Sequence, residues 1–473
     1  MLIFDRLHIY ITKLSVVLCS CISLYAQAPS FLGGLGMELA FYPLLLGIMI
    51  WLVGCLILDD RIYWPRRKSF YLLCMFLVWL MITGIVNIAN ITDSVFKGVT
   101  GSNRFITQYG TMLFYWLSTL YIYNGFRKIR SYEQNTLRVW ENLIVFSAYV
   151  LGLYSFLEIT SVLGQQSLRE IVNFIDGVFR SQEVTGDVFA YVRIRSLTAE
   201  ASYFGMYCGV VIPWLIIHAI KCTDNTVAKI FNVVFVLYYF VLLVFSLSRT
   251  AYFMLAIELI FMVFIYRHYI ARRWIKFFSY GVLILLLLMF ALLYFISIAD
   301  VVDIDILSVF LSFTSGNGGI YDLSNTGRIG SQWAGFYMFL DNPFFGVGYG
   351  QYPYYYVQYV PSWAWISPEV QILGSNVIGS MMTPSHGLYT RLLGETGFVG
   401  LIIWISILCC MCKEIYEVAR CDSDIRVRCC LVTLLAISLF GFNFDGFRVF
   451  YYWIFFGLIW TLRAQYAGGD HIE

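Results

Sequence analysis

The chain has 473 residues, of which 60% are hydrophobic and only 13% charged, and its mean hydropathy is +0.74. Soluble domains carry roughly 45–50% apolar and about 25% charged residues, so no aqueous fold hides this much apolar surface, and lipid must be the solvent for much of it. A formal net charge of +2 says nothing by itself about nucleic acid, since what matters is where the charges sit; no nucleic-acid partner is expected.

Apolar runs fall near 14–27, 38–58, 69–88, 108–124, 139–160, 201–220, 229–247, 251–266, 277–298, 397–412, 429–446 and 449–462. Their length, without strict alternation, favours helices over a barrel. They predict an all-α integral membrane protein with about twelve transmembrane helices, in which 1–473 form one polytopic domain embedded in the lipid bilayer. The first run, "LSVVLCSCISLYA", follows a short basic lead and precedes Ala26–Gln27–Ala28. That pattern imitates a cleavable signal peptide, and an uncleaved first helix is the expectation.

The loops alternate in charge. One set carries most of the Lys and Arg, including Arg66, Arg67, Lys68, Arg127, Lys128, Arg272, Arg273, Arg426 and Arg428. The other holds Lys97, Arg104, Arg169, Arg180, Arg193, Arg195, Arg249, Arg328, Arg391 and Arg448. The positive-inside rule places the first set and both termini in the cytoplasm, and the second set outside. Two outside loops are long, about 161–200 and about 299–396, and loops of that length are usually functional. Within the second, "SQWAGFYMFLDNPF" reads as a helix lying on the surface. The 12 Cys lie in or beside apolar runs or in the basic loops, which argues against a disulfide framework.

The outside cations are nearly all Arg, whose planar fork grips phosphate bidentately, so an anionic ligand is expected there. Arg249, in "SLSRTAYF", sits between two apolar runs with almost no loop, a costly position usually retained for a partner or a function. Of five His, only His386 falls in an outside loop, just before a span, where an imidazole could take a proton from a sugar hydroxyl. Asp303–Ile304–Asp305 and Asp422–Ser423–Asp424 have the D-x-D form of metal-holding pairs, but neither adjoins a His or further carboxylates, and no metal is expected. Gly346–Val347–Gly348–Tyr349–Gly350 lacks the final spacing and preceding strand of a nucleotide fingerprint, and reads as a tight turn.

Four segments in order, "RIRSLTAEASYFG", "SLSRTAYFMLAI", "RIGSQWAGFYMFLDNPFFGVGYGQY" and "SHGLYTRLLGETGFVG", resemble the O-antigen polymerases and O-antigen ligases of bacterial envelopes. The resemblance covers about residues 190–412. Gly397 and Gly400 follow His386 at the family's spacing, whereas Gly387 stands where Asn, Ser or Gln is usual, and Ala201 where Pro is frequent. The resemblance implies a GT-C-like, metal-independent glycosyltransferase without cofactor, facing the periplasm from the bacterial inner membrane, its large outer loop between spans 9 and 10. Its donor would be an undecaprenyl-pyrophosphate-linked oligosaccharide. By motif, Arg193, Arg195, Arg249 and Arg328 would bind pyrophosphate, His386 would act on the acceptor hydroxyl, and Glu200 and Arg249 join it as catalytic candidates. "RIRSLTAEASYFG" looks more like the polymerase version, so a surface-polysaccharide polymerase is expected, with a chain-length regulator protein as a candidate partner. The alternatives are a ligase acting on lipid A core and, in a different class, a lipid-linked oligosaccharide flippase.

Overall fold

The computed structural model describes residues 2–20, 36, 38–58, 60–133, 135–162, 166–179, 194–198, 200–221, 225–246, 248–267, 320–448 and 450–466. Among them the apolar runs become helices: α1 (Leu2–Ser20), α2 (Phe41–Ile57), α3 (Lys68–Val86), α4 (Ile88–Asp93), α5 (Gly101–Glu133), α6 (Thr136–Val162), α7 (Gln166–Phe179) and α8 (Ala201–Lys221). There follow α9 (Thr226–Phe245), α10 (Arg249–Tyr266), α11 (Ile320–Asp341), α12 (Tyr352–Tyr359), a 3₁₀ turn (Ser362–Ile366), α13 (Pro368–Gly374), α14 (Leu388–Cys421), α15 (Ile425–Phe440) and α16 (Phe450–Tyr466). A two-stranded hairpin, β1 (Val95–Phe96) and β2 (Val99–Thr100), is the one departure from helix in this set. Five of the helices are long and apolar enough to cross a membrane, namely α3, α6, α8, α9 and α14. The twelve-span arrangement remains an expectation, and the run near 277–298 lies outside the described residues.

Every residue from Phe450 to Leu462 is buried, so α16 is the axis of the bundle. It packs along α5, where a Cβ on Gly457 would lie 3.0 Å from the Tyr123 nitrogen, too close for a larger residue. Trp140, Trp214, Trp404, Trp453 and Trp460 fill the surrounding core. Residues such as Leu56, Phe253 and Ile260 point outward, as a lipid-facing surface requires.

Charges sort to opposite ends. At one end Lys128 pairs with Asp5 and Asp60, Arg426 with Glu141 and Asp424, Lys221 with Asp424, and Arg463 with Glu417. The first turn of α1 and the last of α16 lie at this end. The inner D-x-D is consumed there: Asp424 takes Lys221 and Arg426, and Asp422 accepts the Tyr466 hydroxyl. At the opposite end sit Lys97, Arg104, Arg195, Arg328, Arg391 and Arg448.

Several boundaries differ from those expected. The first helix begins at Leu2 rather than near residue 14, because amphipathic lead residues extend the helix beyond its apolar stretch. The first long loop contains α7, one of whose faces carries the apolar residues. The expected surface helix is longer, spanning Ile320–Asp341, and it is not merely superficial: Ala334 and Met338 are fully buried. With Val347, Tyr352, Tyr356, Ala364 and Val370 they build a second small core at the charged end.

This second core is locked to α14 by a break in that helix. Gly397 has φ 68° and ψ −175°, which interrupts the helical hydrogen bonds. The turn after α11 fills the gap: the N–H groups of Val347 and Gly348 donate to Gly394 and Glu395 carbonyls (2.9 and 3.0 Å), and Phe398 N–H donates to Pro343 (2.9 Å). Gly346 (φ 64°) permits that approach, since a Cβ would meet the Glu395 carbonyl carbon at 2.3 Å. The glycine run is therefore a docking turn.

Candidate active site

His386 closes the loop that joins α13 to α14. Its φ of 56° is unusual for a residue with a side chain and is held by its surroundings. Gln332 on α11 donates to the His386 carbonyl (2.9 Å) and to that of Phe442 (3.2 Å). Ser385 N–H donates to Asp445 (2.8 Å), and Leu388 N–H to Gly441 (2.7 Å). The loop between α15 and α16 thus clamps the histidine.

The imidazole Nε2 lies 3.3 Å from Oε1 of Glu369, in the first turn of α13. Burial alone would push the Glu369 carboxyl up, but the adjacent His386, with the charge of Arg328, outweighs it and holds the group below its usual value. Arg328, on α11, has a buried Nε without a hydrogen bond. His386 and Glu369 therefore face each other within the field of Arg328.

Beside it lies a crowd of guanidiniums. Arg391, in the first turn of α14, is buried and donates to Glu395 (3.0 Å), the Asp445 carbonyl (2.8 Å) and Gln108 (3.3 Å). Glu395 also accepts from Tyr352 N–H (3.0 Å), and Arg104 donates to the Gly350 carbonyl (2.7 Å). Burial, then the charge of Arg391, pulls Arg104 down to about 10, with Arg448 adding to the effect. It stays cationic at neutral pH. Arg448 is exposed and makes no ion pair or hydrogen bond with the described residues. Glu38, before α2, is pushed up to about 7 by burial against the opposing charge of Arg448. Cations repelling one another in a half-buried site are the arrangement an anionic ligand would relieve.

A second group lies across the same end. Glu158 on α6 accepts from the N–H groups of Arg195 (3.3 Å) and Ser196 (2.8 Å), fixing a turn in which Ser196 has φ 52°. Ile194 N–H donates to the Phe245 carbonyl (3.0 Å) at the end of α9, and a Cβ on Gly205 would collide with Ala251 at 2.3 Å. The first two family-like segments are thereby packed together, with Arg249 opening α10. Glu200 is exposed and accepts from Ser202 (3.0 Å). Tyr203 links this group to the first: its ring meets Phe444 edge-on at 5.2 Å, and the charges of Glu200, Asp445 and Arg448 act on its hydroxyl.

Residues 234–405 match the family model described as O-antigen ligase. Over this stretch the chain is similar to the O-antigen ligase and polymerase superfamily. No curated protein sequence matches the chain. The O-antigen ligase-type stretch supplies Arg249, Arg328, Glu369, His386 and Arg391, whereas Arg104, Glu200, Asp445 and Arg448 come from helices and loops flanking it.

Of the residues the sequence singled out, His386 faces Glu369, on which Arg328 acts only through its charge, and Arg195 and Glu200 lie beside the segment that leads into α10. Arg193 and Asp303–Asp305 lie outside the described residues, as does the Arg249 side chain. Arg104, Arg391, Arg448, Glu369 and Asp445 were not singled out as site residues. Arg448 carried a usable signal, because it occupies a minimal loop between two apolar runs, as Arg249 does. Glu369 carried none. Among the described residues no cluster of three or more His, Cys, Asp or Glu could hold a metal ion.

Proposed function

We propose that the protein is a polysaccharide polymerase of the bacterial inner membrane. It would transfer a growing glycan from undecaprenyl pyrophosphate to a lipid-linked repeat unit on the periplasmic side, in O-antigen, capsule or exopolysaccharide synthesis. The observation that carries the reading is the braced His386–Glu369 pair beside the guanidiniums of Arg104, Arg391 and Arg448. The acceptor hydroxyl must lose its proton as its oxygen attacks the anomeric carbon, and His386 is placed to take it. The bond from that carbon to the pyrophosphate oxygen breaks, and negative charge grows on the leaving group. Fixed guanidiniums stabilise that charge where water is scarce. Arg195, Arg249, Arg328 and, by motif, Arg193 would complete the pyrophosphate grip, and Glu200 would orient the incoming sugar. One displacement inverts the anomeric centre, and no step requires a metal. A chain-length regulator protein is the expected partner.

Polymerase is favoured over ligase by the form of "RIRSLTAEASYFG". Deletion of the gene separates the two. Lipid A core carrying one repeat, or unpolymerised lipid-linked repeats, supports the polymerase; core with no repeat but intact polymer on the carrier lipid overturns it in favour of the ligase. Turnover by purified protein in detergent, where no gradient exists, excludes a flippase.

A further inference from the structure

A groove of about 380 Å³ opens between the end of α11 and the end of α12 with the residues that follow it. Tyr337, Leu340 and Asp341 form one wall; Gln358, Tyr359 and Pro361 form the other. It is an open surface cleft rather than an enclosed pocket. Its lining pairs aromatic faces with hydroxyls, an amide and a carboxylate. Tyr359 donates to Asp341 Oδ2 (2.8 Å), which leaves the other carboxylate oxygen to accept from a ligand, and the exposed Gln358 amide can both donate and accept. No Lys or Arg lines it, and Asp341 contributes negative charge, so phosphate headgroups and acidic sugars are disfavoured.

Polyols present the complementary surface: apolar C–H faces that lie on aromatic rings, rimmed by hydroxyls that satisfy mixed donors and acceptors. The groove and the site share α11. Trp333, 43% exposed, stands one helical turn before Tyr337, their ring centroids 5.6 Å apart. Its neighbour Gln332 holds the His386 carbonyl. From Gln332 to Asp341 the rise along α11 is roughly 14 Å.

We infer that Trp333, Tyr337 and this groove form a subsite for neutral or amino-sugar residues of the glycan, remote from the reacting bond. The inference rests on the transferase reading above and adds where the chain is held during elongation. Holding several sugars here keeps the glycan from diffusing away between transfers, so the subsite governs chain length.

The probe is the producing cell's own surface polysaccharide, freed of lipid by mild acid and sized into short fragments. Binding is measured to the purified full chain in detergent, with monodispersity checked for every variant. Tyr337→Leu, which keeps bulk but removes the ring, should weaken fragment binding about tenfold and shorten the polymer made in cells. Tyr337→Phe should restore most of the binding. If wild type polymerises while Tyr337→Leu matches it in binding and polymer length, the subsite is wrong and the transferase reading stands. If Tyr337→Leu instead alters only phospholipid retention, the strip is a lipid contact and the proposal fails. If wild type neither binds fragments nor polymerises, the parent reading falls with it.

Discussion

At the residue scale the site depends on side chains that do different work at short range. Arg448 is exposed and unpaired among the described residues, so its guanidinium is free to meet an anion. Replacing it with Ala should lower kcat/KM for the lipid-linked donor by roughly ten- to a hundredfold, the value of one or two charge-assisted hydrogen bonds. Lys at the same position keeps the charge but loses the fork, and should fall between the two; steady-state kinetics on purified variants read this directly. Glu38 gives a stability prediction at the same scale. Folded, it keeps its proton up to about pH 7, whereas the unfolded chain releases it near 4.5. The folded state binds the extra proton between those values, so the stabilisation is complete below about 4.5 and is lost as pH rises through 7. The loss is on the order of 3 kcal/mol, and thermal inactivation in detergent across that range should show it, with Glu38→Gln flattening the slope. His386 and the arginine bias of its end were legible in the sequence. Glu369 was not, because an isolated acid on another turn shows its partner only after the chain folds.

At the element scale the apolar runs mark where helices cross, but hydropathy does not mark where they end. Amphipathic lead segments, as in α1 and α14, are poorly visible to it, and so is a short amphipathic helix such as α7 inside a long loop. The break in α14 had a trace in the sequence, the spaced glycines Gly394, Gly397 and Gly400, yet its consequence needed the structure. An added Cβ at Gly397 would meet the Phe344 carbonyl oxygen at 2.1 Å in a left-handed backbone conformation. Gly397→Ala should therefore destabilise the protein by at least about 2 kcal/mol, from strain and overpacking together. Gly110→Ala, where a Cβ meets nothing within 4 Å, is the matched control and should be neutral or slightly stabilising by helix propensity. Melting temperatures of the two variants decide the point. A similar close approach governs α8 and α10: Glu258 is fully buried against Gly209, with neither carboxylate oxygen hydrogen-bonded.

At the scale of the whole molecule, two charge sets that alternate along the chain gather at opposite ends of one bundle. This was the most legible feature, because the positive-inside pattern acts on loops and survives errors in helix boundaries. In the first set Lys13, Lys128, Lys221, Arg426 and Arg463 pair with Asp or Glu, whereas in the second Arg104, Arg391 and Arg448 crowd together near His386. Reporter fusions at Gly379 should show alkaline phosphatase activity and no fluorescence, and fusions at Asp422 the reverse. Contacts between distant segments could not be read from one chain, and they are what joins Arg104, Arg391 and Arg448, which lie on separate helices and a loop.

The central claim is that His386 deprotonates an acceptor while neighbouring guanidiniums hold a departing pyrophosphate. Release of undecaprenyl pyrophosphate from a lipid-linked repeat by purified protein in detergent tests it most directly. The rate for His386→Ala should fall by about 10²–10⁴ against wild type at equal folded protein. A His386→Ala enzyme that releases the carrier at the wild-type rate contradicts the account.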